Sequence, residues 1–152
     1  MKMVEYWQAG SGDFGLVHQL GLLMHQESSY SKLKFSKDKL LDTFGMYLND
    51  ENKVVFIAVD NGRPLGLYAG YISEYYFSEE LVANDIAWFV VREKRGTRIG
   101  LRLLDCFEHW AKQRGASEIR IGYSTDINPA AFDSLMKKRK YSMVGANYRL
   151  ES

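Results

Sequence analysis

Residues 95–100, Arg-Gly-Thr-Arg-Ile-Gly, stand between an apolar run ending at Val91 and an amphipathic run that begins near Ile99. A strand, a short basic loop with glycines and a helix start together suit a phosphate. The first helical N–H groups have no internal partner, and the helix dipole puts partial positive charge there. Gly96 can take a positive φ without steric cost, and Gly100 permits close approach of a ligand or a strand. Arg95 and Arg98 can offer forked donors to phosphate oxygens. A solvated turn with two surface arginines accounts for the same six residues. A Walker loop is excluded because no Gly-Lys-Ser/Thr follows, and these six residues do not spell a Gly-x-Gly-x-x-Gly dinucleotide motif.

Other residue types that could do chemistry are less concentrated. His18 and His25 lie seven apart on one helical face, without an evident third ligand, and read as a surface pair. Cys106 is the only cysteine, which rules out an internal disulfide and a multi-cysteine metal site. A cysteine nucleophile would need a base partner that the sequence does not supply. His109 falls opposite the apolar stripe of its helix, on the solvated side. The run Lys-Lys-Arg-Lys at 137–140 sits in a last helical turn, where it complements the dipole, and this reading is preferred to a nucleic-acid patch.

The elements that must position the loop follow from periodicity. Residues 4–9 read as a strand. Phe14, Val17, Leu20 and Met24 give residues 12–28 a helical stripe, and Leu40, Leu41, Phe44 and Leu48 do the same for 36–50, with Ser36 as N-cap. The β-branched run 53–60 predicts a buried strand. Asn61-Gly62 turns it into a second strand over 65–77. A further strand, 84–91, leads into the basic loop. The helix over 97–114 buries Ile99, Leu103, Phe107 and Trp110 and stops at Gly115. A strand over 117–124 follows. Asn128 and Pro129 then open a helix over 128–140, and 141–152 is expected to close the sheet as a last strand. The order β-α-α-β-β-β-α-β-α-β predicts an α/β (α+β) fold, a mixed sheet with helices packed on it.

Composition bounds the answer without choosing it. The chain has 152 residues, 46% of them hydrophobic and 26% charged, which is enough for one domain, 1–152, with its own core. A formal net charge of +1 gives no argument for nucleic acid or a membrane surface. No apolar run approaches a membrane span and no leader pattern opens the chain, so a cytoplasmic protein is the expectation.

In element order and motif placement the whole chain resembles the GNAT (Gcn5-related N-acetyltransferase) family. The run Val90-Val91-Arg92-Glu93-Lys94-Arg95-Gly96-Thr97-Arg98-Ile99-Gly100 resembles the family's acetyl-CoA signature, and residues 138–141 followed by a strand resemble its closing helix and strand. The combination of residues 95–100 with 107–122 is also similar to members often encoded by bacteriophages, which would place the protein in a host cytoplasm. The resemblance implies a mixed sheet of about six to seven strands with four helices, and an N-acetyltransferase that uses acetyl-CoA as co-substrate. It implies that Phe89, Val90 and Val91 offer backbone groups to pantetheine. The backbone N–H groups from Arg95 through Gly96, Thr97, Arg98 and Ile99 to Gly100 would hold the pyrophosphate, and Asn128 would lie along the pantetheine arm. The partner is then an unidentified primary amine, of a small molecule or a protein; homodimers are common among relatives.

Three positions depart from the family pattern. Arg98 replaces the middle glycine of the signature, and Lys140 replaces the glycine before the final aromatic. Many relatives carry a tyrosine acid five residues before that aromatic, and here the position is Met136, a flexible apolar residue. A positioned acid is worth roughly 10²- to 10⁴-fold. A thiol with pKa near ~8.5, by analogy with Cys, leaves tolerably without one. Tyr123 and Tyr148 are the candidate substitutes. The acceptor must be deprotonated, since an alkylammonium has a pKa near ~10.4, and Asp85 and Glu74 are the candidate bases. The first two helices and residues 71–83 would set the acceptor, with Tyr75, Tyr76, Phe77, Glu79 and Glu80 suiting a cationic amine. The rival reading is a weak or inactive acyl-CoA-binding or protein-interaction module on the same scaffold.

Overall fold

A computed structural model describes residues 3–123 and 127–152. Its sheet has five strands in the order β1-β2-β3-β4-β5, namely Glu5–Gln8, Lys53–Asp60, Arg63–Tyr75, Ser78–Val90 and Ala116–Arg120. The first four are antiparallel neighbours, and β5 joins β4 in parallel. Four helices complete the fold: α1 (Phe14–Glu27), α2 (Lys37–Leu48), α3 (Ile99–Gln113) and α4 (Pro129–Lys138).

Local chemistry sets these boundaries. The Ser36 hydroxyl accepts from the Lys39 N–H at 3.1 Å and opens α2. Asn61 and Gly62 both have positive φ (51° and 81°), the backbone of a tight two-residue hairpin turn between β2 and β3. The Asn128 side chain accepts from the Ala131 N–H, with Pro129 at the first helical position of α4.

Tyr68, Leu103, Leu104 and Phe107 are fully buried between the sheet and α3. Gly70 makes that contact possible. A Cβ there would lie 2.3 Å from Cε1 of Phe107 and 2.6 Å from the Asn84 carbonyl, so the ring rests directly on the strand. The opposite face is covered by α1 and α2, which bury Val17, Leu20 and Phe44.

Two expectations need correction. β4 begins at Ser78, six residues before the expected start at 84, because Ser78 and Leu81–Ala83 pair with β3, with Glu79 and Glu80 left between them at a register shift. Residues 141–152 form no strand, so the sheet has five strands where six to seven were expected. A strand exists only through its ladder. The C-terminal segment instead makes side-chain contacts with the α1–α2 connection: Arg149 donates to Ser29 at 3.0 Å and lies over the Tyr30 ring, and Glu151 pairs with Lys32.

Candidate functional site

β4 and β5 are paired only from Leu81 to Asn84, against Ala116 to Arg120. From Asp85 to Val90, β4 keeps its partner β3 on one side and has no β5 ladder on the other. The two strands therefore part, and the free edge of β4 runs straight into the basic loop. A register shift at Ala69/Gly70 leaves Ile86 as the extra residue on β4, so the parting coincides with a bulge.

The hydrogen bonds show which backbone groups face the opening. The Val91 N–H donates to the Leu65 carbonyl at 2.9 Å, and the Val91 carbonyl accepts from Lys94, so Val91 has neither group free. Alternation then turns the N–H and C=O of Val90 toward the open side, where the carbonyl accepts from Nε of Arg95 at 3.0 Å. Phe89 is a buried side chain with Arg95 stacked over its ring at 5.4 Å. Of the three residues expected to offer backbone groups, Val90 is the one on the free edge.

The loop is a cradle of N–H groups. After a single 3₁₀ turn at Arg92–Lys94, Gly96 adopts φ +84°. Thr97 organises the turn: its hydroxyl donates to the Lys94 carbonyl at 2.5 Å and accepts from the Ile99 N–H at 3.4 Å. The Ile99 side chain is buried and anchors the helix. Among the described residues, the N–H groups of Gly96, Arg98, Gly100 and Leu101 have no hydrogen-bond acceptor. A Cβ on Gly100 would face Val90 and Trp88 at 3.5 and 3.7 Å, so this glycine lets α3 sit close to β4. Trp88 closes the contact by donating to the Gly100 carbonyl at 3.1 Å.

The two loop arginines have different fates. Arg95 is gripped by both carboxylate oxygens of Glu27 at the end of α1, at 2.5 Å for Nη2 to Oε1. Hydrogen bonding from Arg95 holds the Glu27 carboxyl below its usual range. The Arg95 fork thus braces α1 to the loop. Arg98 is exposed at the N-cap of α3, where its side chain makes no cap hydrogen bond.

Asp85 stands where the strands part. It pairs with Gly70 and so shares the α3 face, and its Oδ1 accepts from the Gly122 N–H at 2.9 Å, just beyond the end of β5. Burial pushes its carboxyl up to about 6, opposed by that backbone hydrogen bond. Tyr68, deeply buried on the same face, has its hydroxyl pushed far up, by burial first and then by the charge of Asp85. Glu74 is exposed and pairs with Leu81. Four residues of strand separate its register position from that of Asp85, roughly 13 Å, so the two carboxylates do not share a site.

The remaining candidates are equally dispersed. Tyr123 stacks on Phe132 of α4 at 4.8 Å, and Phe132 meets Trp88 edge-on at 6.2 Å, which keeps Tyr123 beside β4. Tyr148 is 96% exposed on the C-terminal segment. Met136 is buried in the core, and Asn128 uses its side-chain oxygen as the α4 cap. Of the 137–140 run, Arg139 ties α4 to Asp105 and Glu108 of α3, and Lys137 pairs with Asp133. His18 and His25 both lean on Phe35, and burial pushes the Cys106 thiol up. Tyr75, Tyr76, Phe77, Glu79 and Glu80 surround the tip of the β3–β4 hairpin, away from the parting strands. Glu27 and Trp88 were missed from sequence; nothing in a helix-terminal glutamate announces a partner 68 residues away.

A family model described as "Acetyltransferase (GNAT) family" matches residues 22–136. No curated protein matches the chain. Among solved structures, a transcriptional regulator from Bacillus halodurans C-125 superposes with a TM-score of 0.81 at 16% identity, covering 99% of this chain and 100% of that one. A protein from Clostridium acetobutylicum described as a predicted acetyltransferase, solved with acetyl-CoA, gives 0.81 at 18% identity, covering 98% and 96%. The aminoglycoside N-acetyltransferase AAC(6')-Iy, in complex with CoA, gives 0.80 at 16% identity, covering 100% and 96%. At these identities the likeness is one of fold.

Proposed function

The chain belongs to the acetyltransferase (GNAT) family, and from that premise we propose that it transfers an acetyl group from acetyl-CoA to a primary amine, with both substrates bound at once. The observation that carries the reading is the parting of β4 from β5, which ends at a loop with four unpartnered N–H groups. That arrangement fits a long ligand with an anionic middle. Acetyl-CoA would supply an acyl group activated as a thioester. The N–H groups of Gly96, Arg98, Gly100 and Leu101 would hold the pyrophosphate, with Arg98 adding charge. Thr97 and Ile99 keep the loop in shape, and Arg95 braces it through Glu27.

The Val90 N–H, on the free edge, is the donor placed for an oxyanion. Asp85 is the proton acceptor in this reading, acting through water, because a carboxylate raised to about 6 is a useful base near neutral pH. Glu74, far along the strand, takes no part. Thiolate departure goes without a strong acid. Met136 has no proton to give, and of the two tyrosines Tyr123 stands at the cleft while Tyr148 does not. Residues 1–152 act as one domain in the cytoplasm. The exposed side chains Met143, Val144, Tyr148 and Leu150 give the C-terminal segment an apolar surface suited to a homodimer.

Calorimetric titration of acetyl-CoA, paired with thiol release over an amine panel, tests the reading. Micromolar binding and amine-dependent thiol release are expected. Binding without release would leave an acyl-CoA-binding module, and absence of binding would end the enzyme reading.

A further inference from the structure

On the face of the sheet away from α3, a cavity of about 340 Å³ lies between α1, α2 and strands β2 to β4. Val17, Phe44, Val55, Leu67 and Ala87 form part of its wall. Its polar lining residues are His25, Ser28, Tyr30, Thr43 and Tyr47, and among the described residues none of its lining is Asp, Glu, Lys or Arg. Ile86 and Ala87 also line it, and they follow directly on the point where β4 leaves β5. A molecule in the cavity therefore touches the same stretch of β4 whose free edge would carry the acyl group.

The lining decides what can enter. Roughly ten water volumes of space suit a molecule of about a dozen non-hydrogen atoms. Each buried ammonium without a counter-charge is expensive, so an acceptor with several positive charges is disfavoured, whereas one amino group can meet the few polar residues of the lining. His25 is the lining residue with a nitrogen base. Its Nε2 lies 2.7 Å from the Leu33 carbonyl. A carbonyl only accepts, so in the neutral ring Nε2 carries the proton and Nδ1 keeps its lone pair. The acidic residues of 71–83, expected to suit a cationic amine, contribute nothing to this wall.

We propose that this cavity is the acceptor subsite and that it takes a small primary amine bearing one aromatic or branched aliphatic group, in preference to a polycation. The proposal rests on the acetyltransferase reading above and narrows its substrate class.

The test compares tryptamine with spermidine. In the thiol-release assay with acetyl-CoA, kcat/KM for tryptamine should exceed that for spermidine at least tenfold. Ala87→Leu, which fills the cavity from the strand side, should lower the tryptamine value at least tenfold while acetyl-CoA affinity is unchanged. Thr43→Trp closes the cavity from exposed helix α2 and should act in the same direction if Ala87→Leu does not fold. Preference for spermidine or a lysine peptide, or indifference of tryptamine turnover to both variants, overturns the proposal and leaves the acetyltransferase standing. If acetyl-CoA does not bind, direct titration of tryptamine still decides. Heat that disappears in the variants keeps the cavity as an amine site, and no heat from the wild type removes it.

Discussion

On the α3 face of the sheet, Tyr68, Phe107 and Trp110 stack at centroid spacings of 4.5 and 5.8 Å, and Phe107 fills the space above Gly70. On the α1/α2 face, Ala69 and Ala87 are register partners beneath a cavity of about 340 Å³. Both faces place small residues at the same height along β3, but only one has a ring in the space they leave. Small side chains make room, and packing from the opposite element decides whether that room is core or site. The filled face fixes α3, and with it the N–H cradle. The open face leaves a wall beside the free edge of β4.

Substitutions at these small residues can break the comparison. Gly70→Ala should destabilise the protein by about 3 kcal/mol or more, because neither the Phe107 ring nor the Asn84 backbone can yield cheaply. Ala87→Val, adding more volume on the open face, should change stability by less than about 1 kcal/mol. Urea denaturation of the two variants reads both effects. Equal costs would mean that the two faces are packed alike.

Asp85 gives the next largest effect. Its folded pKa of about 6 lies above the ordinary aspartate value of 3.8, so the folded state binds the extra proton between those values. Stability from this group is complete below pH 4 and is lost as pH rises through about 6. At roughly 1.4 kcal/mol per unit, the full loss is about 2–3 kcal/mol. Asp85→Asn keeps an acceptor for Gly122 and should recover much of that at pH 8, while leaving stability at pH 4 little changed. The same variant should lower kcat if the carboxylate is the base. Unchanged turnover would assign Asp85 to joining β4 to Gly122 alone.

How much of this was legible in the sequence depends on the range of the interaction. The Asn61-Gly62 turn, the Ser36 and Asn128 caps and the start of α3 are written in neighbouring residues, and each lies where the spacing predicts. The loop at 95–100 was legible for the same reason. The fate of Arg95 was not, because Glu27 reaches it only once α1 lies against the loop. The cavity has no local signature either; Ala69 and Ala87 look like ordinary strand residues until α1 and α2 are in place. The final strand failed in the opposite direction: residues 141–152 carry strand-like alternation at Tyr148 and Leu150 but make no ladder.

The loop arginines sharpen the comparison at smaller magnitude. Arg98→Ala should weaken acetyl-CoA binding about tenfold at low salt and less at high salt, without changing stability, since its side chain is exposed. Arg95→Ala should lower stability as well as affinity, because it leaves Glu27, a mostly covered carboxylate, without its forked partner. Titration and urea denaturation of both variants separate the roles. Equal losses of affinity with no loss of stability in either would put both side chains on the phosphates.

The smallest effect belongs to the closing turn of α4. Lys140 occupies the position of the family's glycine and has φ +67°, in the left-handed region. The turn therefore keeps a glycine's backbone with a side chain that resists it. Two neighbours hold it there: Arg139 is bound to Asp105 and Glu108, and the Tyr141 hydroxyl donates to Glu108 at 2.6 Å. Relief of the left-handed penalty favours glycine by roughly 1–2 kcal/mol, and the greater freedom of glycine in the unfolded chain offsets about half of that. Lys140→Gly should thus raise stability by about 0.5–1 kcal/mol without altering acetyl-CoA affinity. A loss of stability instead would mean that the Lys140 side chain contributes packing or charge that outweighs the strain, and that the α3–α4 contact is less tightly determined than the stacked rings beside it.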